Sequence, residues 1–210
     1  MSKGTKRDKR RGRVIVVSGP SGVGKSTICR EVVERLDDVR LSVSVTTRKP
    51  GPGEQEGRDY WFVSEEEFRE RIEKGTLLEY AEVFGNLYGT PRDKVDKALE
   101  KGQSVILEID VQGGRQAKNA YADAIMIFIL PPTERALAER LGRRGRDSND
   151  ATERRLDGAS NEIAAAWQCY DNMVINEDLE HAVGEVIDII TRALRDEESL
   201  PKAEGSVGDE

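Results

Sequence analysis

The apolar residues of this 210-residue chain fall into short runs that alternate with segments of helical periodicity. Runs rich in Val and Ile, bounded by turn residues, predict buried strands at residues 14–19, 104–111, 124–130 and 172–176. Amphipathic spacing predicts helices at residues 25–36, 92–101, 113–119, 133–142, 151–169 and 178–195. Buried strands separated by helices indicate an α/β fold with a mostly parallel sheet flanked by helices.

Residues 42–91 break this alternation. Shorter and more polar strands are predicted near residues 42–47, 58–63 and 77–84, with one helix at 64–75. Ser64 followed by Glu67 is the pattern of a capping box at the start of that helix. We therefore expect a small, partly antiparallel α/β insertion at 42–91, inside a core made of residues 13–41 and 92–195. An arginine-rich polar segment at about 140–157 is expected to form a lid that joins two helices of the core.

Composition narrows the class of protein. A hydrophobic share of 37% and a charged share of 35% suit a globular protein with a sizeable core.

The sequence has no run of 18 apolar residues and no apolar segment behind its basic N-terminus, so we expect no membrane span and no secretory signal. Cys29 and Cys169 are too few and too widely spaced to indicate a disulfide framework or a zinc site. A single histidine, His181, argues against histidine-based catalysis. The cytoplasm is the expected location.

The net charge of −7 conceals opposite charges at the two ends of the chain. Residues 1–13 hold seven Lys or Arg against one Asp, and residues 196–210 hold six Asp or Glu against one Lys. Both ends are poor in apolar residues, so a basic arm at 1–12 and an acidic tail at 196–210 are predicted to be disordered. A solvated arm is favoured over one that contacts nucleic acid, so no specific nucleic-acid partner is expected.

The segment "GPSGVGKS" at residues 19–26 fits the phosphate-loop pattern G-x-x-x-x-G-K-[ST] between a predicted buried strand and a predicted helix. Glycines let successive backbone N–H groups face phosphate oxygens at the positive end of a helix. Lys25 would neutralise the β- and γ-phosphates, and the Ser26 hydroxyl would ligate Mg²⁺. A nucleoside triphosphate is therefore expected on a loop made of Gly19, Pro20, Ser21, Gly22, Val23, Gly24, Lys25, Ser26 and Thr27.

The phosphate loop alone does not name the reaction. Residues 110–113, "DVQG", match the D-x-x-G of switch GTPases and follow a buried strand. No N-K-x-D follows to recognise guanine in the manner of those proteins, which argues against a GTPase.

A kinase must hold two polyanions close together and needs cations beyond the phosphate loop. The segment predicted as the lid supplies Arg140, Arg144 and Arg155. Guanidinium groups are positively charged and can stabilise the negative charge on the equatorial oxygens of the phosphoryl group during its transfer. Acidic residues interspersed with them leave open a salt-bridged, solvated helix, but the phosphate loop favours a closing lid.

The insertion carries candidate ligands for a second nucleotide. Three side chains could donate hydrogen bonds to its phosphate: Arg48, Tyr60 and Tyr88. Glu79 lies in an otherwise apolar strand pattern, and a carboxylate can accept the parallel N1–H and N2–H₂ donors of guanine, which adenine lacks. Ser44 and Thr90 could donate to guanine O6 or N7. From residue chemistry alone, Glu79 is equally well explained as a surface carboxylate.

Residues 44–62, "SVTTRKPGPGEQEGRDYWF", resemble S-x-T-T-R-x-P-R-x-G-E-x-x-G-x-D-Y-x-F, the signature of guanylate kinases, at every fixed position except Gly51. Further likeness lies in "LLEYAEVFGNLYGTP", "ILEIDVQG" and "ERLGRRGRD…ERRL". The chain resembles the bacterial type of this family over roughly residues 12–195. The resemblance implies a phosphate-loop core, a GMP-binding insertion and a lid, with Mg²⁺-dependent, direct in-line phosphoryl transfer from ATP to GMP or dGMP.

The resemblance also implies roles for individual residues. GMP would be bound by Ser44, Arg48, Tyr60, Glu79, Tyr88, Gly89, Thr90 and Asp110. The phosphate loop and Asn176 would bind ATP, and Glu108 would lie with Asp110 between the two nucleotides. The transferring phosphoryl group would be stabilised by Lys25, Arg140, Arg144 and Arg155.

Two positions depart from the family pattern. Gly51 stands where a second arginine is expected, so one charge-assisted phosphate contact, of about 1.5–3 kcal/mol, is missing unless Lys49 or Arg58 replaces it. Thr152 stands where the lid has an apolar residue. Two other functions stay open: a non-catalytic guanylate-kinase-like module that binds proteins, and a kinase for another nucleoside monophosphate. A monomer or a homodimer is expected.

Overall fold

The computed structural model of the protein describes residues 11–83, 85–142 and 149–199. The strands are β1 (Val14–Ser18), β2 (Val39–Leu41), β3 (Val45–Thr46), β4 (Trp61–Phe62), β5 (Leu77–Val83), β6 (Asn86–Pro91), β7 (Ser104–Glu108), β8 (Ile125–Leu130) and β9 (Asn172–Ile175). The helices are α1 (Lys25–Arg35), α2 (Glu65–Glu73), α3 (Arg92–Glu100), α4 (Val111–Ala120), α5 (Glu134–Gly142), α6 (Asn149–Ala166) and α7 (Leu179–Ser199).

A five-stranded parallel sheet in the order β2-β7-β1-β8-β9 forms the core, which confirms the predicted α/β class. Its central strand β1 is buried along its whole length, because helices cover both faces of the sheet. Val17 of β1 pairs with Glu108 of β7, so the carboxyl ends of these two strands are neighbours. The phosphate loop follows β1 and residues 109–110 follow β7, so both segments lie at the edge where ligands of open α/β sheets bind.

A second sheet, in the order β4-β3-β6-β5, is built entirely from residues of the predicted insertion. Strand β6 is antiparallel to both β3 and β5, and helix α2 seals one face with the fully buried Phe68. The predicted capping box is confirmed: Glu67 N–H donates to Ser64 Oγ and Ser64 N–H donates to a Glu67 carboxylate oxygen, each at 3.1 Å. Local sequence chemistry therefore determines where α2 begins.

Two strands were not predicted. Strand β2 has only three residues directly after α1, and β6 contains Gly89 and Pro91, which weaken the strand pattern. Helix α7 runs to Ser199, four residues into the segment predicted to be disordered. The remaining predictions for the two ends concern residues 1–10 and 200–210, which lie outside the described residues. No helix in the described ranges is long and apolar enough to cross a lipid bilayer.

Candidate functional site

A cleft of about 920 Å³ lies between the phosphate loop, the carboxyl end of β7 and the second sheet. Eleven of the predicted site residues line it: Gly19, Ser21, Lys25, Ser26, Ser44, Arg48, Tyr60, Glu79, Tyr88, Glu108 and Asp110. Residues far apart in the chain thus meet in one cavity.

The phosphate loop is hydrogen-bonded to Asn176, which lies at the carboxyl end of β9. The Asn176 side-chain amide donates to the Val23 carbonyl at 2.8 Å, and Asn176 itself is only 5% exposed. Gly24 has φ +105°, and a Cβ there would lie 2.5 Å from Asn176 Nδ2. Only glycine fits this turn, because both the backbone conformation and the space exclude a side chain.

Lys25 begins helix α1, and its ammonium group donates to the Pro20 carbonyl at 3.0 Å and to the Gly19 carbonyl. Gly24, at the amino end of α1, makes no side-chain capping hydrogen bond, and the amino terminus of a helix attracts anions. The loop therefore combines a cation with a helix amino terminus, as a phosphate site requires.

Ser26 Oγ donates to Glu108 Oε1 at 2.6 Å. The next acidic residue, Asp110, accepts from Gly113 N–H at 2.8 Å and so caps helix α4. Two carboxylates and one hydroxyl therefore lie at the junction of the phosphate loop and β7. These are the oxygen donors that a Mg²⁺ ion prefers.

Glu79 is buried, with 3% exposure, although its strand lies at the edge of the second sheet. The pairing register between β5 and β6 shifts between Leu77 and Tyr80, and this irregularity coincides with the inward-facing carboxylate. Thr90 Oγ donates to Glu79 Oε1 at 2.6 Å. A Cβ on Gly113 would lie 2.5 Å from Glu79 Oε2, so α4 approaches the carboxylate closely only because this residue is glycine.

The pKa of Glu79 is raised to about 7: burial is the main cause and the nearby charge of Asp110 adds to it, while hydrogen bonds with Thr90 lower the pKa in part. A carboxyl in this setting is poised to ionise when donors approach it. The alternative of a surface carboxylate is therefore wrong.

Helix α4 also fixes the free edge of β5. The Gln116 amide donates to the Tyr80 carbonyl at 2.8 Å, and the Tyr80 N–H donates to the Gln116 side-chain oxygen at 3.2 Å. One side chain thus pairs with the backbone in the manner of an additional strand. This contact ties the insertion to the core beside Glu79.

Arg48 is held by the carboxylate of Glu54. Its guanidinium donates to Glu54 Oε1 at 2.8 Å and lies 5.2 Å from the centre of the Tyr60 ring. The other Glu54 oxygen accepts from Gly51 N–H at 2.6 Å, and together these contacts lower the pKa of Glu54. Tyr88 packs edge-on against Tyr60, with ring centres 5.9 Å apart. Glu54 therefore orients both Arg48 and the turn at Gly51.

Of the two candidates for replacing the absent arginine at position 51, Arg58 lines the cleft. It donates to the Gly53 carbonyl at 3.0 Å and to Asp59 at 2.7 Å, so its guanidinium lies against the same turn. Asp59 also lies 3.7 Å from Arg30 of helix α1, across the mouth of the cleft.

Some of the predicted site residues do not line the cleft. The Thr90 hydroxyl is committed to Glu79, and Gly89 packs closely against the Glu79 carbonyl. Arg140 donates to the carbonyls of Val23 and Asn176, at 3.2 and 2.9 Å. In this conformation Arg140 and Asn176 therefore support the phosphate loop. Arg144 lies outside the described residues, and Arg155 and Thr152 are described only as part of the backbone of α6.

Sequence reasoning missed several residues of the site. Glu54 belongs to the signature and could have been singled out there, whereas Gln116 and Glu162 carry no local signal. Glu162 of α6 lines the cleft, and burial raises its pKa while the charge of Lys25 opposes that shift. Its place in the cleft follows only from the packing of α6.

A glycine-rich loop between a buried parallel strand and a helix, with a lysine over the loop, defines a phosphate-loop nucleotide-binding protein. The family model described as "Guanylate kinase" matches residues 11–193 of this chain. The chain belongs to the guanylate kinase family, and the resemblance inferred from its signature is confirmed.

Individual relatives agree with this assignment. The chain is 50% identical over 183 residues to a guanylate kinase of Rubrobacter xylanophilus, covering 87% of this chain and 95% of the relative. It is 44% identical to one of Clostridioides difficile, with 87% and 88% covered. A crystal structure of guanylate kinase from Anaplasma phagocytophilum superposes with a TM-score of 0.73 at 36% identity, with 88% of this chain and 87% of that chain covered.

Proposed function

We propose that the protein transfers the γ-phosphoryl group of ATP to GMP, giving ADP and GDP. The observation that carries the proposal is Glu79, a buried carboxylate that faces the same cleft as the phosphate loop. Its oxygens can accept N1–H and N2–H₂ of guanine side by side, and an adenine ring would leave this buried acceptor without its donors. Membership of the guanylate kinase family supports the same conclusion.

The transfer itself requires no nucleophile from the protein. A GMP phosphate oxygen attacks the γ-phosphorus, the bond to the β–γ bridging oxygen breaks, and ADP leaves with that oxygen. The protein's contribution is positioning and charge. Arg48 and Tyr60 would hold the acceptor phosphate, and Lys25 would move from the loop carbonyls to the transferring group.

The donor set at Ser26 and Glu108 fits a magnesium ion bound together with ATP. The described residues contain no group of three or more His, Cys, Asp and Glu that could enclose a metal by themselves. Magnesium commonly uses one or two protein oxygens together with phosphate oxygens and water. When bound, it would neutralise charge on the β- and γ-phosphates; Ser26 would then exchange its hydrogen bond to Glu108 for a contact with the ion.

Closure of a lid is a further part of the proposal. Residues 140–157 connect Arg140, at the phosphate loop, to α6, which reaches the cleft through Glu162. A lid that closes over both nucleotides would bring Arg144 and Arg155 to the phosphates and exclude water, which limits hydrolysis of ATP.

A coupled assay of ADP release with GMP, dGMP, AMP and UMP tests the proposal. Turnover is expected with GMP and dGMP, and it is expected to vanish when Mg²⁺ is removed with a chelator. Preference for AMP or UMP would refute the assignment of Glu79 to guanine. Absence of turnover with all four would indicate a protein-binding module instead of an enzyme.

A further inference from the structure

A chain of buried hydrogen bonds joins three elements beneath the cleft. The Tyr170 hydroxyl, just beyond the carboxyl end of α6, donates to Ser18 Oγ at 2.6 Å. Ser18 in turn donates to the Ile109 carbonyl at 2.7 Å. Tyr170 is 6% exposed and Ser18 is fully buried, so this chain is shielded from solvent.

The two acceptors stand directly before residues of the site. Ser18 precedes Gly19, whose carbonyl binds Lys25, and Ile109 precedes Asp110. These hydrogen bonds therefore connect the phosphate loop to the turn that leads into α4. Through Tyr170 it reaches the foot of α6, the helix that places Glu162 in the cleft.

The surroundings of Tyr170 are shaped to keep it there. A Cβ on Gly114 would lie 2.1 Å from the Tyr170 hydroxyl, so any other residue in α4 would displace it. The Tyr170 ring packs edge-on against the buried Phe128 of β8, with ring centres 5.4 Å apart. Packing of the ring against Phe128 would not require a hydroxyl group. The hydroxyl of Tyr170 fits only because residue 114 has no side chain.

We propose that Tyr170 is a positioning residue for phosphoryl transfer: through Ser18 it sets the spacing between the phosphate loop and the turn at Asp110. This inference rests on the proposed transfer from ATP to GMP. Neither hydroxyl touches the cleft, and the guanine-facing Glu79 belongs to a different sheet. Loss of the Tyr170 hydroxyl should therefore slow the chemical step and leave recognition of the base almost unchanged.

The test compares Tyr170→Phe with Tyr121→Phe. The Tyr121→Phe variant also loses a 2.6 Å hydrogen bond, which the Tyr121 hydroxyl donates to Asp96. Tyr121 lies by the amino end of β1, at the edge of the sheet opposite the cleft. Each variant should lower Tm by roughly 2–4 °C, the shift expected for one hydrogen bond in a chain of this size. Only Tyr170→Phe should lower kcat, by up to about tenfold, with the KM for GMP within about twofold of wild type.

A double variant tests whether the two hydroxyls act as a unit. Ser18→Ala removes the middle of the chain, so adding Tyr170→Phe to it should lower kcat no further. Additive losses would overturn the proposal, as would a kcat of Tyr170→Phe equal to that of wild type. Ser18→Ala also provides an independent variant if Tyr170→Phe folds poorly.

Amide hydrogen exchange without nucleotides separates this inference from the proposed function. In Tyr170→Phe, exchange should accelerate at the N–H groups of Ile109 and Gly113, which donate to Val17 and Asp110, and it should not accelerate there in Tyr121→Phe. Unchanged exchange at both sites would refute the positioning role. Absence of GMP turnover by the wild type would refute the proposed function alone, because the exchange result does not depend on catalysis.

Discussion

Replacing Glu79 with Gln should stabilise the protein, measured without added nucleotide, at neutral and alkaline pH, and should weaken its use of GMP. Burial disfavours the ionised form of this carboxyl group, and its pKa rises from 4.5 to about 7. Gln has the same shape, and its carbonyl oxygen can still accept from Thr90. The substitution therefore removes the ionisable group without removing the contact.

The size of the effect follows from the pKa shift. A raised pKa in the folded protein gives stability that is complete below the unfolded value, near 4.5, and is lost as pH rises through the folded value, near 7. At about 1.4 kcal/mol per pH unit, the full loss amounts to roughly 3 kcal/mol. The stability difference between Glu79→Gln and wild type should therefore widen between pH 4.5 and 7 and stay constant above.

Urea unfolding followed by tryptophan fluorescence at several pH values between 5.5 and 8.5 measures this difference. The matched control is Glu82→Gln, an exposed carboxylate on the same strand. A Glu79→Gln variant that is less stable than wild type at pH 8, or whose difference from wild type does not change with pH, would refute the reasoning. In the kinetic assay its KM for GMP should rise by roughly a hundredfold, because two charge-assisted hydrogen bonds are lost.

Three further substitutions test other parts of the site. Lys25→Met should abolish turnover, and an unchanged Tm would show that the fold persists; residual activity above about one per cent would argue against its role on the phosphates. Gly51→Arg should lower the KM for GMP by adding a phosphate contact; an unchanged KM, with a raised KM in Arg58→Ala, would show that Arg58 already provides it. Gly24→Ala should destabilise the protein by about 1–3 kcal/mol and weaken ATP binding, measured by urea unfolding and calorimetry, because the turn has φ +105° and no room for a Cβ. Wild-type stability in that variant would contradict the steric argument.

The features that could be predicted from the sequence are local ones. The strand, loop and helix around Lys25 follow from a contiguous pattern, and the capping box at Ser64 involves residues three positions apart. The inward orientation of Glu79 could not be predicted in this way, since it coincides with a register shift between two strands. Gln116 and Glu162 reach the site only because their helices pack against it, and no neighbouring residue signals that contact.

The pairing of Arg48 with Glu54 determines how an anion would arrive at the cleft. Among the described residues that line it, four are basic and six acidic: Lys25, Arg30, Arg48 and Arg58 against Glu54, Asp59, Glu79, Glu108, Asp110 and Glu162. The described lining of the cleft therefore has no excess of basic over acidic groups. A phosphate that reaches Arg48 replaces Glu54 as its partner. The described residues alone should therefore give little long-range electrostatic attraction for a polyanion.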